Sequence, residues 1–427
     1  MAIHNLTGEL CKDRTDSVMG SFLSAGAMNG SPTDTCAISV GAGFIPPAQE
    51  RTRYAKSVLG IFNQTPTNPS LRFDGLNRRI QRRLRTLVLG LLLLSVTTVI
   101  AQDTPEVYEG ATISLISPAL VSPFHVALQD GVVEQAQAFG WDIITRAPQR
   151  ETDFEGQVAM VEQVVQQNVD VISVVPISSE AMITGVLAAN DAGVPIMMHN
   201  TITPVSDGEV VEYIGYDQWG GAANLAVYVC QLLAERADGD VSGAEGQVYI
   251  LTGIPGFHAN RRTGGFEHGL SNTCPNVEVV GAQTAEWERE KGLQLALIAL
   301  QQNPDIDVFF GNSDEMAIGA CLAADQLGLN INEEIFCVGI DGNDVTLDLI
   351  AEGEMTATLG VYPRRMGAVV VGQMNKFLLG EAIPQVLLTP SVVVDINNLE
   401  AYVSGTTWVD PVAGTPEFDN GLPTVPE

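Results

Sequence analysis

Six short clusters along the chain carry the residues that could do chemistry. They are Ser122-Pro123-Phe124-His125, His199-Asn200, His258 with Asn260, Arg261 and Arg262, Glu286-Trp287-Glu288, Asn312-Ser313-Asp314, and Asp341-Gly342-Asn343. Aromatic rings beside amides, carboxylates and an arginine suit a neutral, hydroxyl-rich ring. Each hydroxyl wants a donor and an acceptor, and the C–H face wants an aromatic plane. Arg and Asp add two-pronged, charge-assisted bonds to neighbouring hydroxyls. Each cluster taken alone also fits a plain role: Asp341-Gly342 a turn, the three histidines structural or solvent-facing positions, Trp287 a surface tryptophan, and Arg261 or Arg262 a salt bridge. No nucleophile–base constellation recurs, so binding without catalysis is the expectation. No dinucleotide or phosphate-loop glycine pattern follows any strand, which counts against a nucleotide enzyme, and no cofactor is expected.

The elements that must position these clusters alternate regularly. Strands are expected over 111–116, 141–145, 171–175, 195–198, 211–216, 247–252, 277–283, 308–310 and 334–340. Helices are expected over 125–139, 155–167, 179–192, 221–236, 261–272, 290–302, from about 316 towards 327, and over 345–352. The corner at Gly311-Asn312 breaks the apolar run Val308-Phe309-Phe310, and Ser313 or Asp314 can cap the helix that follows. Short βα units of this kind predict an α/β fold of two similar lobes, each a parallel sheet with helices on both faces. In such sheets ligands sit outside the carboxyl ends of the strands, where all six clusters fall.

The chain has 427 residues and a formal net charge of −30. That acidity opposes nucleic acid and anionic membranes as partners, since both demand clustered Lys and Arg. Residues 1–76 are mixed in composition without periodicity and read as disordered or as a mis-assigned leader. Residues 77–101 carry Arg78-Arg79-Ile80-Gln81-Arg82-Arg83-Leu84-Arg85, then an apolar run over 87–96 and a small-residue end at Ala101. That is the order of a secretory signal peptide, and the uncharged stretch is short for a span of ~20 residues. The expected mature chain therefore starts near Gln102. Eleven of the 21 Lys and Arg but only six of the 51 Asp and Glu precede it, so the remainder carries about −35. No Cys follows the apolar run at the cleavage point, so nothing supports lipid attachment there. Cys230, Cys274, Cys321 and Cys337 show no metal-site spacing. Buried thiols and, in an exported protein, a Cys230–Cys274 disulfide both remain open, as does a Cys321–Cys337 pairing. The stretch 403–427 is rich in Gly, Thr, Pro and Asp and reads as a flexible, exposed tail.

Four segments carry a resemblance to a known family. They are Ser122-Pro123-Phe124-His125-Val126-Ala127-Leu128-Gln129-Asp130-Gly131, Ala259-Asn260-Arg261-Arg262-Thr263-Gly264-Gly265-Phe266, Gly311-Asn312-Ser313-Asp314-Glu315-Met316-Ala317-Ile318-Gly319-Ala320 and Val338-Gly339-Ile340-Asp341-Gly342. In order and spacing the chain resembles the periplasmic sugar-binding proteins of the ribose- and galactose-binding type, over roughly 111–403. The resemblance implies a type I periplasmic-binding-protein fold, with three hinge crossovers near Tyr216, Val361-Tyr362 and Ser391. It assigns 110–216 plus 362–390 to the first lobe and 217–361 plus 391–402 to the second. It also implies that Phe124 and Trp287 stack on the sugar, that Arg262 and Asp341 clamp hydroxyls, and that Ser313 replaces a contact that is usually Asn. Ser122, His125, His199, Asn200, His258 and Asn260 complete the expected binding set. His199 and Asn200 fall where ribose binders carry an Asp-Arg pair, and Val361 falls where Gln or Asn is usual. Those departures concern the identity of the sugar.

The function so implied is an exported, monomeric receptor that delivers a monosaccharide or similar polyol to the membrane subunits of an ABC importer. The alternatives are a receptor for a nucleoside or furanose-like signalling molecule and a sugar-responsive regulator. The regulator would need a DNA-binding helix pair where this chain carries the basic-apolar segment.

Overall fold

The computed structural model describes residues 106–237 and 239–415, so the expected leader, signal segment and last twelve residues lie outside the described residues. The first sheet takes β1 (Thr112–Ile116), β2 (Asp142–Arg146), β3 (Val171–Val174), β4 (Ile196–His199) and β5 (Tyr213–Gly215). Helices α1 (Pro123–Ala138), α2 (Phe154–Val165) and α3 (Ser179–Asp191) join them. The second sheet takes β6 (Glu245–Thr252), β7 (Asn276–Thr284), β8 (Val308–Gly311), β9 (Phe336–Asp341) and β10 (Ala357–Gly360). Its helices are α4 (Gln218–Arg236), α5 (Phe257–Thr273), α6 (Arg289–Gln302), α7 (Asp314–Gln326) and α8 (Asp344–Glu352). Helix α9 (Pro363–Leu378), β11 (Val386–Leu388), β12 (Val392–Val394), α10 (Leu399–Val403) and β13 (Val412–Ala413) complete the chain.

The strand order is β13-β11-β5-β4-β3-β1-β2 in the first sheet and β12-β10-β9-β8-β6-β7 in the second. Both run in the 2-1-3-4-5 sense, so the order reverses at β1 and again at β6. Loops after those strands diverge to opposite faces and leave a crevice between them. Pairing is parallel except at two edges, where β12 lies antiparallel on β10 and β13 antiparallel on β11. In each sheet the central strands are buried along their length, as in β3 and β8. Continuous apolar runs of that kind belong to strands covered on both faces. Helices α1 and α9 pack together over one face of the first sheet and α2 with α3 over the other. The pairs α4 with α5 and α6 with α7 do the same for the second.

The chain passes between sheets at three places that match the expected crossovers: after β5, after β10 and after β11. A fourth passage was not expected. Beyond α10 the segment read as a flexible tail returns to the first sheet as β13. On the way Thr407 Oγ1 bonds the Tyr362 hydroxyl, and Trp408 meets the Tyr362 ring edge-on at 5.2 Å. The Arg365 guanidinium lies over the Trp408 ring at 5.4 Å. The composition of this stretch is that of a loop, and its two aromatic and hydroxyl anchors are too few to give a periodic signal.

Cys230 of α4 and Cys274, at the end of α5, form a disulfide across 44 residues of sequence, while Cys321 and Cys337 are free and buried. Closing a loop of that length restricts the unfolded chain by about 3–4 kcal/mol in the entropic treatment. The double variant Cys230→Ser/Cys274→Ser should lose about 2–4 kcal/mol in urea unfolding, and so should the reduced wild type. Equal midpoints for oxidised and reduced protein would show that the bridge contributes nothing to stability.

Candidate functional site

A cavity of about 500 Å³ lies between the two lobes, within the ~300–1,000 Å³ range of small-molecule sites. Its walls are the loops at the carboxyl ends of β1 to β4 on one side and β6 to β9 on the other.

The first-lobe wall starts at α1. Ser122 occupies its N-cap, Pro123 fixes the first helical φ, and Phe124 and His125 follow in the first turn. Phe124 is buried and meets the His125 ring edge-on at 5.2 Å. His125 Nε2 lies 3.5 Å from Glu151 Oε1, in the loop between β2 and α2. Asn200, at φ 58°, follows β4 directly. Asparagine tolerates that left-handed conformation better than most residues, so the turn can follow the strand at once.

The second-lobe wall is built around Arg262. His258 and Arg262, four residues apart on α5, share one helical face. Arg262 Nη1 donates to the Asn312 carbonyl at 2.6 Å, and Nε donates to Gln218 Oε1 at 3.2 Å. Asp341 Oδ1 lies 3.5 Å from Nη1, with both side chains almost fully buried. Gln218, the first residue of α4, also bonds His258 Nδ1 and the Asn200 carbonyl, so it links the two walls. Trp287, at φ 68°, places its ring 5.4 Å from the Arg262 guanidinium. The ring lies against the backbone of Gly253, where any Cβ would collide with it. Glycine there is a condition of the tryptophan's position.

Asp341 has φ 151°, a conformation costing a non-glycine residue about 1–3 kcal/mol. Asp314 holds it there. Its buried carboxylate accepts from the Gly342 N–H at 2.9 Å, the Asn343 N–H at 3.0 Å and Thr358 Oγ1 at 2.6 Å. Asn312 has a similar office, its Oδ1 accepting from the Gly253 N–H and from Thr263 Oγ1. Ser313 stands at the N-cap of α7 but makes no cap bond, and its hydroxyl has no partner among the described residues.

Burial governs the electrostatics. His125, His199 and His258 are each driven down to about 3, by desolvation first and then by Arg262 for His125 and His258, and by His125 for His199. Burial pushes Glu151 up to about 7 against the pull of Arg262. It also raises Asp341 well above the ordinary carboxylate range, again against Arg262.

Of the eleven expected residues, Ser122, Phe124, His125, Asn200, His258, Arg262, Trp287, Ser313 and Asp341 line this one cavity. His199 and Asn260 do not. His199 ends β4, is fully buried, and bonds Ser173 Oγ of the neighbouring strand at 2.7 Å. Asn200, past the end of the strand in its left-handed turn, lines the cavity instead. Asn260 is exposed on α5, two residues from both His258 and Arg262 and hence on another helical face. Glu286 and Glu288 pair instead with Lys291 at the surface. Sequence reading missed Glu151, Phe154 and Gln218. Glu151 sits in a polar run that reads as a solvated turn, and Gln218 belongs to a helix that begins three residues before its expected start.

The model of the periplasmic binding protein domain matches residues 113–382. The chain belongs to that family. It is similar to the ribose import binding protein RbsB of Bacillus subtilis, 30% identical over 279 residues, covering 65% of this chain and 85% of that one. The RbsB of Escherichia coli is 29% identical over 64% of this chain and 86% of its own. Among solved structures, a solute-binding protein of an Actinobacillus succinogenes ABC transporter with bound D-allose superposes with a TM-score of 0.60 at 28% identity. The match covers 68% of this chain and all of that one. One from Bacillus halodurans with bound myo-inositol gives 0.61 at 26% identity, over 70% and 99% of the two chains.

The depressed histidines have a direct readout. A group whose pKa falls on folding contributes stability that is present above its unfolded value near 6.5 and lost as the pH drops towards 3. Glu151 has the opposite sign, because the native state binds its proton more tightly. Ring nitrogen NMR spectra of His125, His199 and His258 should keep the neutral signature at pH 5. Protonated rings at pH 5 would mean that these side chains are solvated.

Proposed function

We propose that this protein is an exported solute receptor that closes its two lobes on a monosaccharide or similar polyol and presents it to an ABC importer. The observation that carries this reading is the convergence on one cavity of Phe124 from the first lobe and Trp287, Arg262 and Asp341 from the second. A ligand touching both walls binds the closed arrangement better than the open one and shifts the population towards it. The names of the relatives support sugars as the substrate class, and their standing as binding proteins supports a role without catalysis. Their periplasmic family supports export, and no described helix is long and apolar enough to cross a membrane.

In this reading Phe124 and Trp287 hold opposite faces of the sugar ring. An aromatic contact of this kind is worth ~0.5–1.5 kcal/mol beyond the buried area. Arg262 and Asp341 take adjacent hydroxyls, and truncating one of such a pair costs on the order of 2–5 kcal/mol.

A thermal-shift screen over pentoses, hexoses, cyclitols and nucleosides should find ligands among the first three classes, since binding to the native state alone raises Tm. Arg262→Ala and Asp341→Ala should each weaken the best ligand at least tenfold by calorimetry, with the fold intact by circular dichroism. Unchanged affinity in both variants would remove the clamp, and stabilisation by nucleosides alone would replace the sugar.

Trp287 offers an independent optical test. Ligand addition should change tryptophan fluorescence, and most of that change should vanish in Trp287→Phe. A variant that keeps the full signal and full affinity would place Trp287 outside the site.

A further inference from the structure

The two cavity walls differ in the hydrogen bonds they leave open. On the second-lobe wall Arg262 is a permanent donor, yet its Nε and Nη1 are committed to Gln218 and Asn312, and it faces Asp341 at 3.5 Å. Arg262 is the only Lys or Arg lining the cavity among the described residues. The first-lobe wall holds the carboxylate of Glu151, whose side chain is 17% exposed and whose ion-pair partner is His125 Nε2 at 3.5 Å, while the Arg262 charge on the other wall also pulls on it. Burial and Arg262 keep His125 neutral, so it brings no charge to Glu151. With the ring proton on Nε2, towards the carboxylate, Nδ1 is an acceptor. That Nδ1 is buried and has no partner among the described residues, and the same holds for Asn200 Oδ1 on the same wall. Residues carrying two buried, unpartnered acceptors and a carboxylate with no Lys or Arg ion pair among the described residues therefore line one side of the cavity.

A hydroxyl can donate only one proton to such a wall. An ammonium donates three, accepts none, and brings the missing positive charge. We propose that Glu151, His125 and Asn200 form a subsite for an ammonium group, so that the preferred ligand is an amine-bearing sugar or cyclitol. This deepens the sugar-receptor reading and rests on it. Phe124, Trp287, Arg262 and Asp341 keep their places around the ring.

The test uses matched pairs: glucosamine, galactosamine, mannosamine and an amino-inositol, each against its hydroxyl parent, by thermal shift and then calorimetry. At least one amine should bind tenfold or more tightly than its parent. In Glu151→Gln the amine-to-parent affinity ratio should fall to within about threefold of one. In Glu180→Gln, which removes an exposed carboxylate at the same cavity, the ratio should stay as in the wild type. Parents that bind as well as or better than every amine would overturn the ammonium subsite and leave the sugar receptor standing. Equal loss of the ratio in both variants would overturn the assignment to Glu151. If neither series stabilises the protein, the sugar reading fails and the subsite fails with it.

Discussion

The buried carboxylate of Asp314 is the interaction on which the second wall depends. It sits at the start of α7 and accepts two backbone N–H groups of the loop after β9 and the Thr358 hydroxyl of β10. Three neighbouring strands are thereby joined through one side chain. A carboxylate out of water is costly unless its lone pairs are satisfied, and here the backbone satisfies them. The return is the strained Asp341, set beside Arg262 in a conformation that no isolated turn would choose. Asn312 does the same between β6 and β8, so the loops carrying Trp287's glycine floor, Ser313 and Arg262 are mutually fixed. Preorganisation of this kind leaves little ordering cost for a ligand to meet.

The same logic separates positioning residues from contact residues within each cluster. Asn312 and Asp314 hold backbone while Ser313 between them keeps a free hydroxyl. Gln218 performs the corresponding service between lobes, with one amide group reaching Asn200, His258 and Arg262. Because Asn200 follows a strand of the first sheet and the others stand on helices of the second, that amide bridges the two sheets.

Much of this was legible in the sequence because strand and helix periods are strong signals and the parallel order follows from short βα units. The switch-point loops also announced themselves, since Phe124, Arg262, Trp287 and Asp341 are residue types seldom placed in plain turns together. What was not legible depended on side-chain direction and on polar turns. His199 and Asn200 are adjacent, and only the packing of His199 against Ser173 shows which of them is left to line the cavity. Asn260 stands in a matched segment, but helical rotation carries it away. Glu151 is hidden because a charged residue among Gln149, Arg150, Thr152 and Asp153 carries no sign of burial until α2 folds over it.

The antiparallel pairing of β13 on β11 has a consequence for how copies of this protein meet one another. Without it β11 would be the outermost strand of the first sheet, with Val386 and Leu387 in its short run and a row of unpaired peptide groups facing solvent. Such an edge is a template for strand exchange between molecules. Residues 412 and 413 cover that edge with the protein's own backbone, anchored upstream by Thr407 and Trp408. The segment whose composition suggested a loose extension thus closes a sheet edge that a strand of another molecule could otherwise occupy.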